Sequence, residues 1–600
     1  MTKYDPEAVR AKYLAERDKR LVPGRTDIRD LAHDAHFARY RDDPFTPFVA
    51  RDPVHDEVDV VIVGGGIAGL LAGAELRKAG LERIRIIDQA GGVGGTWYWN
   101  RYPGVMCDVE SYIYIPMLEE LGYVPRHRYA FGEEIRACLE AIAERFDLAG
   151  DALFHTGVTH SEWDDTVARW RVNTDRGDEV TSRYYVLAVG ILNLMKLPAI
   201  PGMEDFAGHS FHTARWDYAY TGGGAHEPLT GLGGKVVALV GTGATGIQCL
   251  PPVAESAEHV YVFQRTPSAV GVRGNRPTDA GFADGLKPGW QRARMDNFQA
   301  IMIGRAVDAD QVDDGWTHHW AAVHNPPRHK GMEAAEYMRG AETIDYGIME
   351  AHRQRVDELV TDPAKAEILK PYYRYLCKRP CFHDEYLLAF NRPNVDLVDC
   401  PGGIERITAK GPVVGGEQYE VDCIIYGTGF EPELTPLPRR AGHEVVGRGV
   451  SLAEKWSDGA STLFGMLSRG FPNLFIMPAP AQQSVVTVNY TQLAVLGAEF
   501  VGDTVRRLEE AGVEVFDVSA EAEDAWVQKV VQSFVDPSHV MSACTPSRLN
   551  NEGHPETISP RNGNYGRGMG DWFGFRELLE RWLEAGQFEG LELEVRTPAT

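Results

Sequence analysis

Two glycine fingerprints in one chain constrain its fold more than any other feature. The first, Gly64-x-Gly66-x-x-Gly69, follows the apolar run at 58–63; the second, Gly241-x-Gly243-x-x-Gly246, comes 177 residues later, after the run at 236–240. Each follows a strand-like run and opens a helix-like one, the context in which this spacing holds a dinucleotide. The first glycine permits the tight turn, the second lets the backbone approach a pyrophosphate, and the third lets helix pack on strand. The helix N-terminus then faces the phosphates. Asp88 follows Gly69 by 19 residues, and Arg265 follows Gly246 by the same 19. An acid at this place accepts a hydrogen bond from a ribose 2′-OH, whereas an arginine accommodates a 2′-phosphate. The pair of sites therefore predicts FAD at the first and NADPH at the second.

A chain of 600 residues is too long for one core. Its net charge of −25 argues against non-specific nucleic-acid binding and against an anionic membrane surface. No apolar run approaches the roughly 20 residues of a membrane span, and charges stand where a signal peptide would be apolar, so the cytoplasm is the expected location. Eight cysteines do not form a disulfide framework, and Cys377 and Cys381 read as packing residues with no second pair to complete a zinc site. No metal is expected. His318 and His319 read as surface or packing histidines without partners.

The expected fold class is α/β: two Rossmann-like dinucleotide-binding domains, the NADPH domain inserted into a discontinuous FAD domain. Residues 1–54 form an N-terminal extension with a charged helix over 8–20, wrapping a surface without carrying chemistry. Residues 55–199 form the first part of the FAD domain. Residues 200–394 form the NADPH domain, interrupted at about 275–345 by a helical insert. Residues 395–600 return to the FAD domain, with the strand at 421–426 and the turn Gly427-Thr428-Gly429-Phe430 marking re-entry, and supply a C-terminal substrate loop. The turn at 186–190 resembles the one at 424–429, and such turns let a chain leave a domain and re-enter it.

Between the fingerprints lies Gly94-Gly95-Thr96-Trp97-Tyr98-Trp99, then Tyr102-Pro103-Gly104 and Asp108. A loop so rich in glycine and aromatics can lie against a ring system, though a Trp-Tyr-Trp cluster also suits a core. Next comes Phe206-x-Gly208-x-x-x-His212-x-x-x-Trp216-Asp217, whose His and Trp could share a helix face.

This last string resembles the signature of the type I Baeyer–Villiger monooxygenases, FxGxxxHxxxW followed by Pro or Asp. The resemblance extends over Gly95-x-Trp97, Tyr102-Pro103-Gly104, Asp108, the second fingerprint through Gln248, Phe263-Gln264-Arg265-Thr266-Pro267 and Lys378-Arg379. It implies an NADPH- and O2-dependent flavin monooxygenase that turns a ketone into an ester or lactone through a C4a-peroxyflavin. By the same resemblance, Arg379 is the catalytic arginine and Asp108 the carboxylate that orients it; a permanent guanidinium charge suits the two anions of such a reaction. Lys378, Arg265 and Thr266 are placed to hold the 2′-phosphate. Gly95, Thr96, Trp97, Asp108, Tyr114, Val158, Thr245 and Gln248 join the cofactor contacts. His212 and Trp216 become a hinge element between domains. Cys544-Thr545-Pro546, Asn550-Asn551-Glu552-Gly553 and the N-terminal extension look like a subgroup acting on bulky polycyclic ketones, terpenoid or steroid-like.

Two departures stand out. Ala479-Pro480-Ala481-Gln482-Gln483-Ser484 replaces the family's Gly-Pro-Gly-Ser-like loop, and Ser547–Glu552 replaces a Trp-x-x-Gly-Ala-Asn element. A flavin monooxygenase oxygenating nitrogen or sulfur would share both fingerprints but would not need Arg379. A disulfide reductase needs a cysteine pair near the flavin, where only Cys107 follows the glycine loop. A non-enzymatic flavin redox sensor would leave the NADPH site and Arg379 without a purpose. The oligomeric state and the particular ketone are not legible.

Overall fold

Each fingerprint leaves the end of a central parallel strand. The computed structural model describes residues 5–24, 26–31, 34–324, 334–432, 434–567 and 570–595. Strand His55–Val63 is buried on both faces over its last four residues, as a strand covered by helices on both sides must be. It pairs in parallel with Ile84–Ile87 on one side and Glu179–Leu187 on the other, so Val63 stands level with both Ile87 and Leu187. Leu474–Ile476 also pairs with Glu179–Leu187, while Arg169–Thr174, Val158–Asp164 and Glu444–Val446 extend the same sheet outward. The second sheet is wholly parallel, in the order Val395–Asp399, His259–Gln264, Val236–Val240, Cys423–Tyr426, His209–His212.

This topology bears out an α/β chain with two dinucleotide folds, and it moves the domain boundary. A boundary at 395 assigns Val395–Asp399 and Cys423–Tyr426 to the returning half of the first domain; both instead lie in the second sheet. Cys423–Tyr426 is an apolar four-residue strand that could serve either sheet, and its parallel register against Val236–Val240 decides the matter. The chain rejoins the first sheet only at Glu444–Val446 and Leu474–Ile476.

The two crossings run side by side. Lys196 N–H donates to Gly429 O at 2.9 Å and Glu431 N–H to Leu194 O at 2.9 Å. Each crossing begins against a fingerprint: a Cβ on Gly64 would lie 2.5 Å from Ala188 O, and one on Gly241 2.5 Å from Gly427 O. The similar turns at 186–190 and 424–429 are thus the places where each sheet hands the chain to the other.

The insert contains helices Trp290–Met302, Gly315–His324 and Ala334–Leu359, reaching beyond the expected end at 345. In it His319 is buried against Tyr375, their ring centroids 3.9 Å apart. His318 has a partner that spacing did not suggest, Asp313, at 2.6 Å. Among the described residues, Asp310, Asp313 and His318 form the one group of such side chains close enough to share a cation; Asp310 is half-buried and the other two are exposed. No described helix is long and apolar enough to cross a membrane.

Two further expectations are corrected. Cys377 is bonded to Cys544 across 167 residues of sequence, whereas Cys381 is a free, buried thiol. Separations of that size carry no pairing information, and only the fold brings the two within a Cα distance of 5.1 Å. The N-terminal segment is no plain wrapper. Its helix Pro6–Asp18 leads into Arg20, a buried guanidinium whose Nε–H donates to Arg265 O at 2.8 Å.

Candidate active site

On the first sheet, Asp88 Oδ2 accepts from Gly65 N–H at 2.6 Å and Oδ1 from Ala90 N–H at 2.8 Å. Burial raises its pKa against these two bonds. The carboxylate thus braces the fingerprint turn at the place where a ribose would lie. Gly69 packs so tightly that a Cβ would fall 1.9 Å from Gly64 O. Gly95, in the left-handed region at φ 53°, brings its backbone onto Gly66: a Cβ there would be 2.7 Å from Gly66 Cα. The loop Gly94-Gly95 thereby walls the mouth of the first fingerprint, and Thr96–Trp99 continues it as a short helix. Trp97 is buried and donates through Nε1–H to Tyr114 Oη at 3.0 Å, so this aromatic run packs into the core behind the glycine loop. Val158 sits in the same core as Ile87 and Leu153. Asp43 of the N-terminal extension accepts from Tyr98 Oη–H at 2.5 Å and Gly91 N–H at 3.0 Å, a buttress that no sequence motif marks.

On the second sheet, a Cβ on Gly246 would lie 2.1 Å from Gly241 O, while one on Gly243 would meet nothing within 4 Å. That open space before the helix Ala244–Ser256, which carries Thr245 in its first turn, is the cradle a pyrophosphate requires. Lys378 Nζ–H donates to Thr266 O at 3.2 Å, and the buried Thr266 Oγ1 has no partner. Burial and the neighbouring Arg265 lower the Lys378 pKa to about 7. Lys378 and Arg265 are thus near enough to feel each other's charge, with Thr266 between them, a setting that fits a dianionic 2′-phosphate. Gln248, from the same helix, reaches the loop of the first domain. Its carboxamide accepts from Tyr102 Oη–H at 2.8 Å and donates to Met106 O at 2.9 Å, stapling the second fingerprint helix to the flavin-side loop.

That staple brings the chemistry of the two domains together. Arg379 follows Lys378 directly and forks onto Asp108, Nη1 to Oδ2 and Nη2 to Oδ1, both at 2.7 Å. Although burial works against it, Arg379 followed by Arg273 holds the Asp108 pKa below the ordinary carboxylate value. The ion pair holds the guanidinium charged, its pKa raised despite burial.

Two members of the site have no place in the sequence-based expectation. Trp316, from the insert, donates through Nε1–H to Asp108 O at 2.9 Å and sets its ring 5.9 Å from the Arg379 guanidinium. Arg273 is a second buried guanidinium with Nε and Nη1 unpartnered, lowered in pKa by burial and interacting with Asp108. The one available signal was an indole in an insert of otherwise unassigned purpose; Arg273 had none.

The signature histidine and tryptophan do not share a helix. His212 ends a strand, and Trp216 follows the 3-10 turn Thr213–Arg215. Both are buried; His212 Nδ1 accepts from Ala214 N–H at 3.1 Å, and burial lowers the imidazole pKa to about 3. They lie at the crossing, where Phe430 approaches the His212 ring at 6.2 Å. The 479–484 loop is also locked: Gln482 Nε2–H donates to Gly465 O at 2.9 Å, and its Oε1 accepts from buried Arg440 at 3.2 Å.

Comparison with known proteins agrees with this geometry. The model of an NAD(P)-binding Rossmann-like domain matches residues 62–123, the segment from the first fingerprint through Asp108. A pentalenolactone D synthase of Streptomyces arenae is 50% identical, over 98% of this chain and 100% of its own. A Baeyer–Villiger monooxygenase of Streptomyces coelicolor is 45% identical, over 99% of this chain and 98% of its own. A polycyclic ketone monooxygenase from the thermophilic fungus Thermothelomyces thermophila has a solved structure that superposes with a TM-score of 0.90 at 36% identity, covering 98% of this chain and 99% of that one.

Proposed function

The chain belongs to the Baeyer–Villiger monooxygenases, and from that premise we propose that it uses FAD, NADPH and O2 to oxygenate a bulky polycyclic ketone. Terpenoid and steroid-like skeletons are the substrate class. In balance, ketone, O2, NADPH and a proton give an ester or lactone, NADP+ and water. The flavin, when bound, supplies the reduction of oxygen and its transfer. The chain's own residues bind, orient and neutralise charge.

Gly64, Gly66, Gly69 and Asp88 hold the FAD pyrophosphate and ribose, with Gly95, Thr96, Trp97, Tyr114 and Val158 around the rest of that cofactor. Gly241, Gly243, Thr245 and Gly246 hold the NADPH pyrophosphate, and Arg265, Thr266 and Lys378 its 2′-phosphate. Arg379 is the catalytic residue: a fixed cation aimed where negative charge gathers on oxygen as the carbonyl carbon becomes tetrahedral. Such preorganised charge stabilises the developing anion without reorganisation. Asp108 positions it through two parallel bonds, a geometry that a lysine cannot reproduce.

The observation that carries this reading is the Arg379–Asp108 fork, assembled from positions 271 residues apart. NADPH made in the cytoplasm suits an enzyme located there. The test is product analysis with NADPH and air over a panel from cyclohexanone to steroids and fused-ring terpenoid ketones. Ester or lactone from the larger ketones at the higher kcat/KM supports the proposal. A clear preference for cyclohexanone overturns the substrate class and leaves the reaction class standing.

A further inference from the structure

The loop at 544–553 ends against the phosphate site. Glu552 Oε2 lies 3.4 Å from Arg265 Nη2, and its Oε1 lies 2.5 Å from Lys196 Nζ. Both Glu552 and Lys196 keep only 13% of their side-chain surface exposed, so the bridge is substantially desolvated. The loop is built to deliver this carboxylate. Asn551 and Glu552 are both in the left-handed region, at φ 48° and 55°, a conformation uncommon for glutamate and kept only where surrounding bonds over-determine it. Those bonds are present: Glu552 N–H donates to Ser547 O at 2.8 Å, and Gly553 N–H to Asn550 Oδ1 at 3.1 Å. The loop base is fixed beside Lys378, because Ser547 Oγ–H donates to Cys377 O at 2.7 Å and Cys544 is bonded to Cys377.

We propose that Glu552 is a specificity-determining residue for the nicotinamide cofactor, an internal anion that stands in for the 2′-phosphate on Arg265 and is exchanged for it when NADPH binds. The inference rests on the assignment of Arg265 to the 2′-phosphate. A phosphate and a carboxylate cannot share one guanidinium edge at 3.4 Å without repulsion, so the phosphate drives Glu552, and the loop carrying it, off the site. The 2′-hydroxyl of NADH is uncharged and leaves the bridge standing. Arrival of the correct cofactor thereby loosens the loop at 544–553, and arrival of NADH does not. Glu552 lowers NADPH affinity by the strength of the contact it must give up.

The experiment measures dissociation constants of NADP+ and NAD+ for the FAD-loaded wild type, Glu552→Gln and Arg265→Ala, with amide hydrogen exchange of the wild type under each nucleotide. Glu552→Gln should bind NADP+ about fivefold tighter, the scale of its one contact to Arg265, whose side chain stays 33% exposed, with NAD+ affinity unchanged. In the wild type, NADP+ but not NAD+ should raise exchange across 544–553. Unchanged or weaker NADP+ binding by Glu552→Gln, or equal loop exchange with both nucleotides, overturns the inference. Arg265→Ala separates the two levels of the argument. A loss confined to NADP+ keeps the phosphate site whatever Glu552 does, and an equal loss for both nucleotides removes the phosphate-site assignment itself.

Discussion

Replacing Arg379 by lysine keeps the charge and removes the fork. The guanidinium makes two parallel bonds to Asp108, each 2.7 Å long, and the carboxylate is almost fully buried. An ammonium can satisfy one carboxylate oxygen, so one charge-assisted hydrogen bond is lost. Such a bond contributes about 1.5–3 kcal/mol. Arg379 keeps a third of its side-chain surface exposed, so the lower end, about 1.5 kcal/mol, is the expected loss of stability. An alanine would leave Asp108 buried without a counter-charge, at a cost of about 3–5 kcal/mol. That variant would confound folding with chemistry. In the reaction, a misplaced oxyanion-stabilising donor costs about 10²–10³ in rate. Arg379→Lys should therefore retain FAD and bind NADP+ as the wild type does, while ester formation falls at least about 10²-fold. The assay follows NADPH oxidation, ester by gas chromatography and hydrogen peroxide with catalase. NADPH should still be consumed, with hydrogen peroxide in place of ester. Ester formation near the wild-type rate would refute the role of the fork, and a loss of product matched by a loss of bound flavin would reduce it to a structural contact.

Lys378 predicts a pH dependence. Its pKa in the free protein is lowered to about 7, and a bound phosphate favours its charged form. Below pH 7 the lysine is already protonated and this group adds no pH dependence; above pH 7 binding must take up a proton, so NADP+ affinity falls as pH rises and NAD+ affinity does not. Titration calorimetry in buffers of different ionisation enthalpy reads the proton directly, and no uptake at about pH 8 contradicts the assignment. Gly243→Ala has room for its Cβ in the protein but not beneath a pyrophosphate, so NADP+ and NAD+ should weaken equally with FAD content and melting temperature unchanged. Gly246→Ala, whose Cβ would fall 2.1 Å from Gly241 O, should instead lose melting temperature. Alkylation and peptide mapping in oxidising buffer should find Cys377 linked to Cys544 and six free thiols; reduction should destabilise the chain by up to about 5 kcal/mol in the loop-entropy model.

The fingerprints were legible because a dinucleotide site is a local object. Glycines at fixed spacing, a preceding apolar strand and the charge ending the next strand all lie within about 30 residues, the span of one βαβ unit. Asp108, Lys378 and Arg379 could be picked out because resemblance attached roles to short strings. What tertiary structure alone decided lies between distant segments. Which sheet takes Cys423–Tyr426 depends on hydrogen bonds to Val236–Val240, and an apolar run of four residues does not encode its neighbour. Trp316 and Arg273 join the site because the insert and the strand at 270–271 fold back over Asp108. Arg20 behind Arg265, Glu552 in front of it and Cys377 bonded to Cys544 pair residues 167 to 287 positions apart. Periodicity and spacing carry information over a turn or a strand; contacts at such separations are set by how the packed layers meet.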